Sequence, residues 1–307
     1  MQNMETDRQE TGTQEIESKE NFIRHFEEEI VKQSRPDETV NFFDYRKNNG
    51  IVRRACAIRR NGTNAAPTFY PEDYYGEFRK GSSPAEIAAA ILEYVRGSDI
   101  SRLSDMDLWE NYEKIRQGLS FRLIGYEKNR ELLQEVPYER MEDMAIVFYY
   151  MLSDPAVSSG TVLIRNSHLT VWGITKETLC SDAFANTQTI LPPQIRTIEE
   201  ILGTEDTGSG MYVLSNERNL FGAACVLYPG VLKKFAEETG GNLFILPSSV
   251  HEVILLPEKE GQDCAALRRM VCEINRSEVE AEDVLTDSIY RFDRSRPDTI
   301  QRLPEEE

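Results

Sequence analysis

Leu243 to Pro257 reads LFILPSSVHEVILLP, and this stretch decides the fold class. Two apolar runs, Leu243 to Leu246 and His251 to Leu256, flank Pro247-Ser248-Ser249. Short apolar runs bounded by turn residues predict buried strands. The serine hydroxyls of such a turn bond local backbone. A helix is predicted on each side. Gly230 to Thr239 is closed by Gly240-Gly241, and Asp263 to Asn275 carries Leu267, Met270, Val271 and Ile274 on one face. Further strands are expected at Met211 to Ser215, Phe221 to Tyr228 and Ser288 to Phe292. Hairpins interleaved with helices predict an α+β fold, with mixed, largely antiparallel sheets and helices packed on one face.

Moving toward the N-terminus, Met144 to Met151 is a continuous apolar run that predicts a buried strand. Strands are also expected at Phe121 to Ile124, Thr161 to Arg165 and Leu169 to Trp172, the last two joined by Asn166-Ser167-His168. A short helix is expected near Lys128 to Gln134, and Thr175 caps a longer one that Leu191-Pro192-Pro193 stops. Asp154-Pro155 and Ser158-Ser159-Gly160 read as turns. Ser83-Pro84-Ala85-Glu86 is a capping box with proline at the first helical position, and Ile87, Ile91, Leu92 and Val95 form its buried stripe. Another helix is expected from Asp105 to Gln117. Val40 to Tyr45 and Ile51 to Arg60 flank Asn48-Asn49-Gly50, and Asn-Gly supplies the positive φ angles of a type I′ hairpin. Phe22, Ile23, Phe26 and Ile30 recur at helical spacing.

The 307 residues include 53 acids and 35 bases, a formal net charge of −18. Hydrophobic residues at 40% are enough for a sizeable core. The negative surface disfavours nucleic acid and anionic membranes, and no stretch is long and apolar enough to span a bilayer. Five cysteines without CxxC spacing predict reduced thiols of a cytoplasmic protein. Residues 1–17 read as a disordered tail, 18–155 as an N-terminal α+β region and 156–303 as a C-terminal one, with one continuous domain as the alternative.

The LPSSVHEVILLP segment, Tyr126 to Leu133 (YEKNRELL), Trp172-Gly173-Ile174-Thr175 and Leu285 to Tyr290 (LTDSIY) together resemble one uncharacterised family of clostridia and their gut relatives, known only as a domain of unknown function. The resemblance covers residues 20–300. It implies a bacterial, cytosolic origin and lends no catalytic residue.

Ser248, Ser249, His251 and Glu252 carry the residue types of a nucleophile, a base and an orienting acid. Their spacing opposes that use, because neighbours on a strand point to opposite faces. Cys225, in an apolar run, reads as core. His25 reads as solvated and His168 as a turn residue with binding potential. No HxH, HExxH or EF-hand spacing occurs, so no metal is expected, and the absence of GKT, GKS or a GxGxxG turn points to no nucleotide cofactor. Arg46, Arg53, Arg54 and Arg59 make the hairpin of residues 40–60 the one basic patch, able to grip nucleic acid or an acidic partner, or to pair internally. These residues favour a non-catalytic binding module with a protein or peptide partner. The alternatives are a hydrolase or acid–base enzyme on Ser249, His251 and Glu252, and a nucleic-acid-associated protein using the basic hairpin.

Overall fold

The computed structural model describes residues 2–63, 66–97, 109–152, 160–205, 208–247, 249–296 and 299–304, with side chains from residue 18 onward. The chain divides into two compact units. The first comprises Met1–Lys47 and Val52–Trp109, the second Asn48–Ile51 and Glu110–Glu307. The boundary expected at residue 155 falls inside the second.

In the first unit, α1 (Gln2–Gln33) and α3 (Pro84–Gly97) pack on a three-stranded antiparallel sheet. Its strands are β1 (Glu38–Arg46), β2 (Val52–Arg60) and β3 (Thr68–Phe69), in that order, with α2 at Tyr75–Arg79. Phe22, Phe26 and Ile30 of α1 meet Ile87, Ile91, Leu92 and Val95 of α3 over Cys56 and Ile58 of β2. The predicted capping box forms: the Ser83 hydroxyl accepts the Glu86 N–H, and the Glu86 carboxylate accepts the Ser83 N–H. The aromatic stretch after β3 completes this core, with Phe78 against Phe22 at 4.9 Å between ring centroids and Tyr74 stacked on Phe26.

The second unit holds two antiparallel sheets. One centres on β6 (Met144–Met151), which pairs with β4 (Leu119–Gly125) on one side and with β5 (Tyr138–Met141) and β7 (Thr161–Leu163) on the other. Before it lies α4 (Tyr112–Ile115); after it come α5 (Asn166–Trp172) and α6 (Lys176–Ile190), the latter capped by Thr175 as expected. The other sheet has six strands in the order β13-β12-β10-β11-β9-β8. These are β8 (Pro193–Thr197), β9 (Tyr212–Asn216), β10 (Leu243–Pro247), β11 (Val253–Pro257), β12 (Tyr290–Phe292) and β13 (Ile300–Arg302). Helices α7 (Ile198–Leu202), α8 (Val231–Thr239) and α9 (Cys264–Ser277) interleave with these strands. The fold is α+β with antiparallel sheets, as the LFILPSSVHEVILLP reading predicts.

Four local expectations change. Leu169 to Trp172 is helical within α5, because the His168 Nδ1 accepts the Arg165 N–H at 3.1 Å and so caps a helix start. Gly173, at φ 63°, ends that helix. Phe221 to Tyr228 is not a strand: Phe221 takes φ 53°, and Gly222–Leu227 forms a 3₁₀ stretch. Gly222 sits so close to its neighbours that a Cβ there would lie 2.2 Å from the Ser215 hydroxyl and 2.5 Å from the His251 carbonyl. Lys128 to Gln134 resolves into two 3₁₀ turns, Glu127–Asn129 and Leu132–Gln134. His251 and Glu252 precede β11 in a bend. The turns at 154–159 and the start of the helix at Asp105 lie outside the described residues.

Candidate functional site

Ser249, His251 and Glu252 lie in the bend between β10 and β11; Ser248 lies outside the described residues. The Ser249 hydroxyl accepts the backbone N–H of His251 at 3.0 Å, and the Ser249 N–H donates to the Glu252 carbonyl at 3.3 Å. Ser249 is 8% exposed. Its oxygen is thus the acceptor of a local turn.

The imidazole of His251 is held from three sides. Its Nδ1 accepts the Phe221 N–H at 3.2 Å, its ring stacks on Phe221 with 5.5 Å between centroids, and Nε2 lies 3.5 Å from the Asp283 carboxylate. An Nδ1 that accepts a backbone proton has no lone pair left for a substrate, so the ring proton resides on Nε2. Nε2 then faces an acid and not a serine. An acid does reach His251, from Asp283 far along the chain, with the two side chains 32% and 34% exposed, and the backbone beside each is tied into the framework. The His251 carbonyl accepts the Ser215 hydroxyl at 2.8 Å, and the Val250 N–H donates to the Asp283 carbonyl at 2.8 Å.

Asp283 belongs to an irregular segment, residues 281–289, that many polar groups grip. The Asn49 amide donates to the carbonyls of Ala281 and Val284 at 2.9 and 2.7 Å, and the Asn48 amide to that of Glu282 at 2.7 Å. Asn49 is placed by the expected turn, in which Asn49 and Gly50 take φ 59° and 71°. Its backbone N–H also donates to the Oδ1 of buried Asn129 at 2.9 Å, and the Asn129 amide donates to the Asn49 Oδ1 at 3.1 Å. Asn275 of α9 donates to the Thr286 carbonyl and to Asp287. Asp143, in the β5–β6 turn, accepts the hydroxyls of Thr286 at 2.6 Å, Ser288 at 2.8 Å and, through its other oxygen, Tyr290. Burial pushes the Asp143 carboxyl up, but the bonds from Thr286, Tyr290 and Ser288 and the nearby Arg302 charge outweigh it and hold the group below the usual aspartate range. Burial and the Asp143 bond raise the Tyr290 phenol. The sequence marks Asn48 and Asn49 as turn residues only and gives Asn129, Asp143 and Asn275 no role; no motif spacing links residues this far apart.

The basic candidates lie elsewhere, on the first unit's hairpin. Arg53 binds Glu72 at 2.6 Å and Asp73; Arg54 binds Glu27 at 2.6 Å and Asp44 at 3.4 Å. Arg46 and Arg59 are exposed, opposite Val52 and Thr39 in the β1–β2 register. His168 stacks on Trp172 at 5.3 Å, and burial, with Arg165 adding to it, lowers its pKa. Cys225 is fully buried, which pushes its thiol up to about 12 and leaves it unreactive. Among the described residues no group of three or more His, Cys, Asp or Glu side chains comes together in a way that could hold a metal. No described helix is long and apolar enough to cross a membrane.

A family model described as a family of unknown function (DUF5688) matches residues 19–294. No curated protein and no solved structure matches the chain.

Proposed function

We propose that this chain, which belongs to the family of unknown function DUF5688, is a non-catalytic binding module that takes an extended segment of a partner protein along the outer edge of β1. The observation that carries the reading is β1 itself. It runs nine residues, borders its sheet, and has β2 as its single partner strand among the described residues. An edge of this length offers a row of backbone N–H and C=O groups to an incoming strand. Phe43 and Tyr45, 38% and 36% exposed, stand on one face of it and supply apolar contact for alternate side chains of the guest. The commitment of the Ser249 oxygen and the His251 Nδ1 to backbone donors speaks against the hydrolase reading. The internal pairing of Arg53 and Arg54 speaks against the nucleic-acid reading.

The test compares the whole chain with its Phe43→Glu/Tyr45→Glu variant as native baits. A partner retained by the first and released by the second is the expected result. Partner capture that ignores those changes, or turnover of an ester or amide that vanishes in His251→Ala at unchanged melting temperature, would overturn the proposal.

A further inference from the structure

Helix α9 carries a second feature that the β1 reading does not use. Asp263 caps it, accepting the Ala266 N–H at 3.0 Å, and one face of its 14 residues borders a cleft of about 650 Å³. It is open to solvent, a surface groove that suits an extended chain more than an enclosed small molecule. Arg268, Arg269 and Arg276 line it beside a single acid, Glu273, with Cys272 between them. In a chain of net charge −18 this is a local reversal of sign.

The three arginines are used to different degrees. Arg268 donates to the backbone carbonyls of Leu303 at 3.1 Å and Pro304 at 2.8 Å, so this face already grips an extended stretch of main chain. Arg269 lies 3.5 Å from Asp263, with both side chains largely exposed, a pair that contributes little in water. Arg276 is exposed, with no hydrogen bond or ion pair to another described residue. Seven positions separate Arg269 from Arg276. At ~1.5 Å per residue that places them about 10 Å apart along the helix. A peptide in the polyproline II conformation advances ~3.1 Å per residue with three residues per turn, so side chains three residues apart lie on one side of it, about 9 Å apart.

We propose that this cleft binds an extended acidic segment of a partner protein, with carboxylates three residues apart seated on Arg269 and Arg276. The inference rests on the binding-module reading but names a different surface. Guanidinium groups bind carboxylates through paired N–H donors, which gives direction as well as charge. Phosphate would satisfy the same donors, but a polyanionic strand would meet the acidic remainder of the chain.

The test is fluorescence anisotropy with the whole chain at low ionic strength and a labelled Gly-Glu-Ser-Ser-Glu-Gly peptide. The expected result is binding that weakens with salt and falls about tenfold in Arg269→Gln/Arg276→Gln, at unchanged melting temperature, while Phe43→Glu/Tyr45→Glu binds like the parent. Absence of binding, equal binding of the lysine counterpart, or indifference to the arginine changes would overturn it. Tighter binding of a single-stranded oligothymidylate would overturn it in favour of a phosphate ligand. A chain shortened by residues 305–307 that binds the probe more than tenfold tighter would make Glu305, Glu306 and Glu307 the occupant and overturn a partner's segment. Failure here leaves the β1 reading standing, because a different pair of substitutions reads that surface.

Discussion

The two units are held together by different means. In the first, side chains at helical spacing on α1 and α3 bury Phe22, Phe26, Ile91 and Leu92 against β2, with exposed pairs such as Lys32 with Glu29 at 2.7 Å at the margin. In the second, a segment with little regular structure, residues 281–289, is fixed by amides and a carboxylate that come from three places in the chain, Asn48-Asn49, Asp143 and Asn275. Apolar packing is lost in proportion to the volume removed. A polar knot fails differently, because removing one partner leaves the others buried and unpaired. Cys56 lies fully buried in the first unit and Cys225 fully buried in the second, so alkylation of each thiol reports the opening of its own unit.

The largest effect is expected in the apolar unit. Phe26→Ala should cost about 4 kcal/mol. Alkylation of Cys56, followed by mass spectrometry, should then accelerate about a thousandfold, since every ~1.4 kcal/mol is a factor of ten. Cys225 should hold its parental rate. Equal acceleration of both thiols would break the comparison. Asp143→Ala should come next, at about 3 kcal/mol, because it leaves three hydroxyls without their acceptor. Here Cys225 should respond and Cys56 should not, and Asp143→Asn, which keeps the shape and one oxygen, should do less harm.

The smallest effect is in the pH dependence, and it sharpens the contrast. His168 holds its proton more weakly folded than unfolded, so its contribution is complete above the unfolded value of 6.5 and is lost as pH falls through the lower folded one. Asp143 and Glu38 have the same sign against unfolded values of 3.8 and 4.5. Urea unfolding should therefore show the second unit weakening as pH drops below 6.5, where the first unit's Glu38 contributes no change. His168→Gln should flatten that arm. A slope that persists in His168→Gln assigns it to another group.

The two arginine-rich surfaces teach a related lesson. Arg53 and Arg54 stand together in sequence, yet carboxylates of Glu72, Asp73, Glu27 and Asp44 engage them. Arg269 and Arg276 were not noticed as a patch, because Glu273 and apolar residues separate them. Helical spacing nevertheless puts them on one cleft. Clustering along the chain is a poor guide to which charges remain available.

What could be read from sequence was local and periodic. The stripe of Ile87, Ile91, Leu92 and Val95 with its Ser83 cap, the Asn49-Gly50 turn, and the strands on either side of Pro247-Ser248-Ser249 all follow from spacing within a few residues. Other features depended on distant partners. Phe221 to Tyr228 looks extended until Gly222 is pressed against Ser215 and the His251 carbonyl. β8 opens at Pro193, which reads as a stop but is tolerated at the first position of an edge strand. Of the candidate site, the local-turn role of the Ser249 hydroxyl was legible, whereas the opposition of His251 and Glu252 along a strand does not apply, because both lie in the bend before β11. The groups that hold His251, Phe221 and Asp283, were not legible, because each lies some thirty residues from it and neither belongs to a motif.

The central claim is that His251 is framework, and its removal tests that most directly. His251→Ala deletes the acceptor of the Phe221 N–H, the stacking on Phe221 and the approach to Asp283. Urea unfolding of this variant should show a loss of about 2 kcal/mol, with Cys225 becoming readily alkylated while Cys56 stays protected. Parental stability together with the loss of a hydrolytic activity would contradict the account.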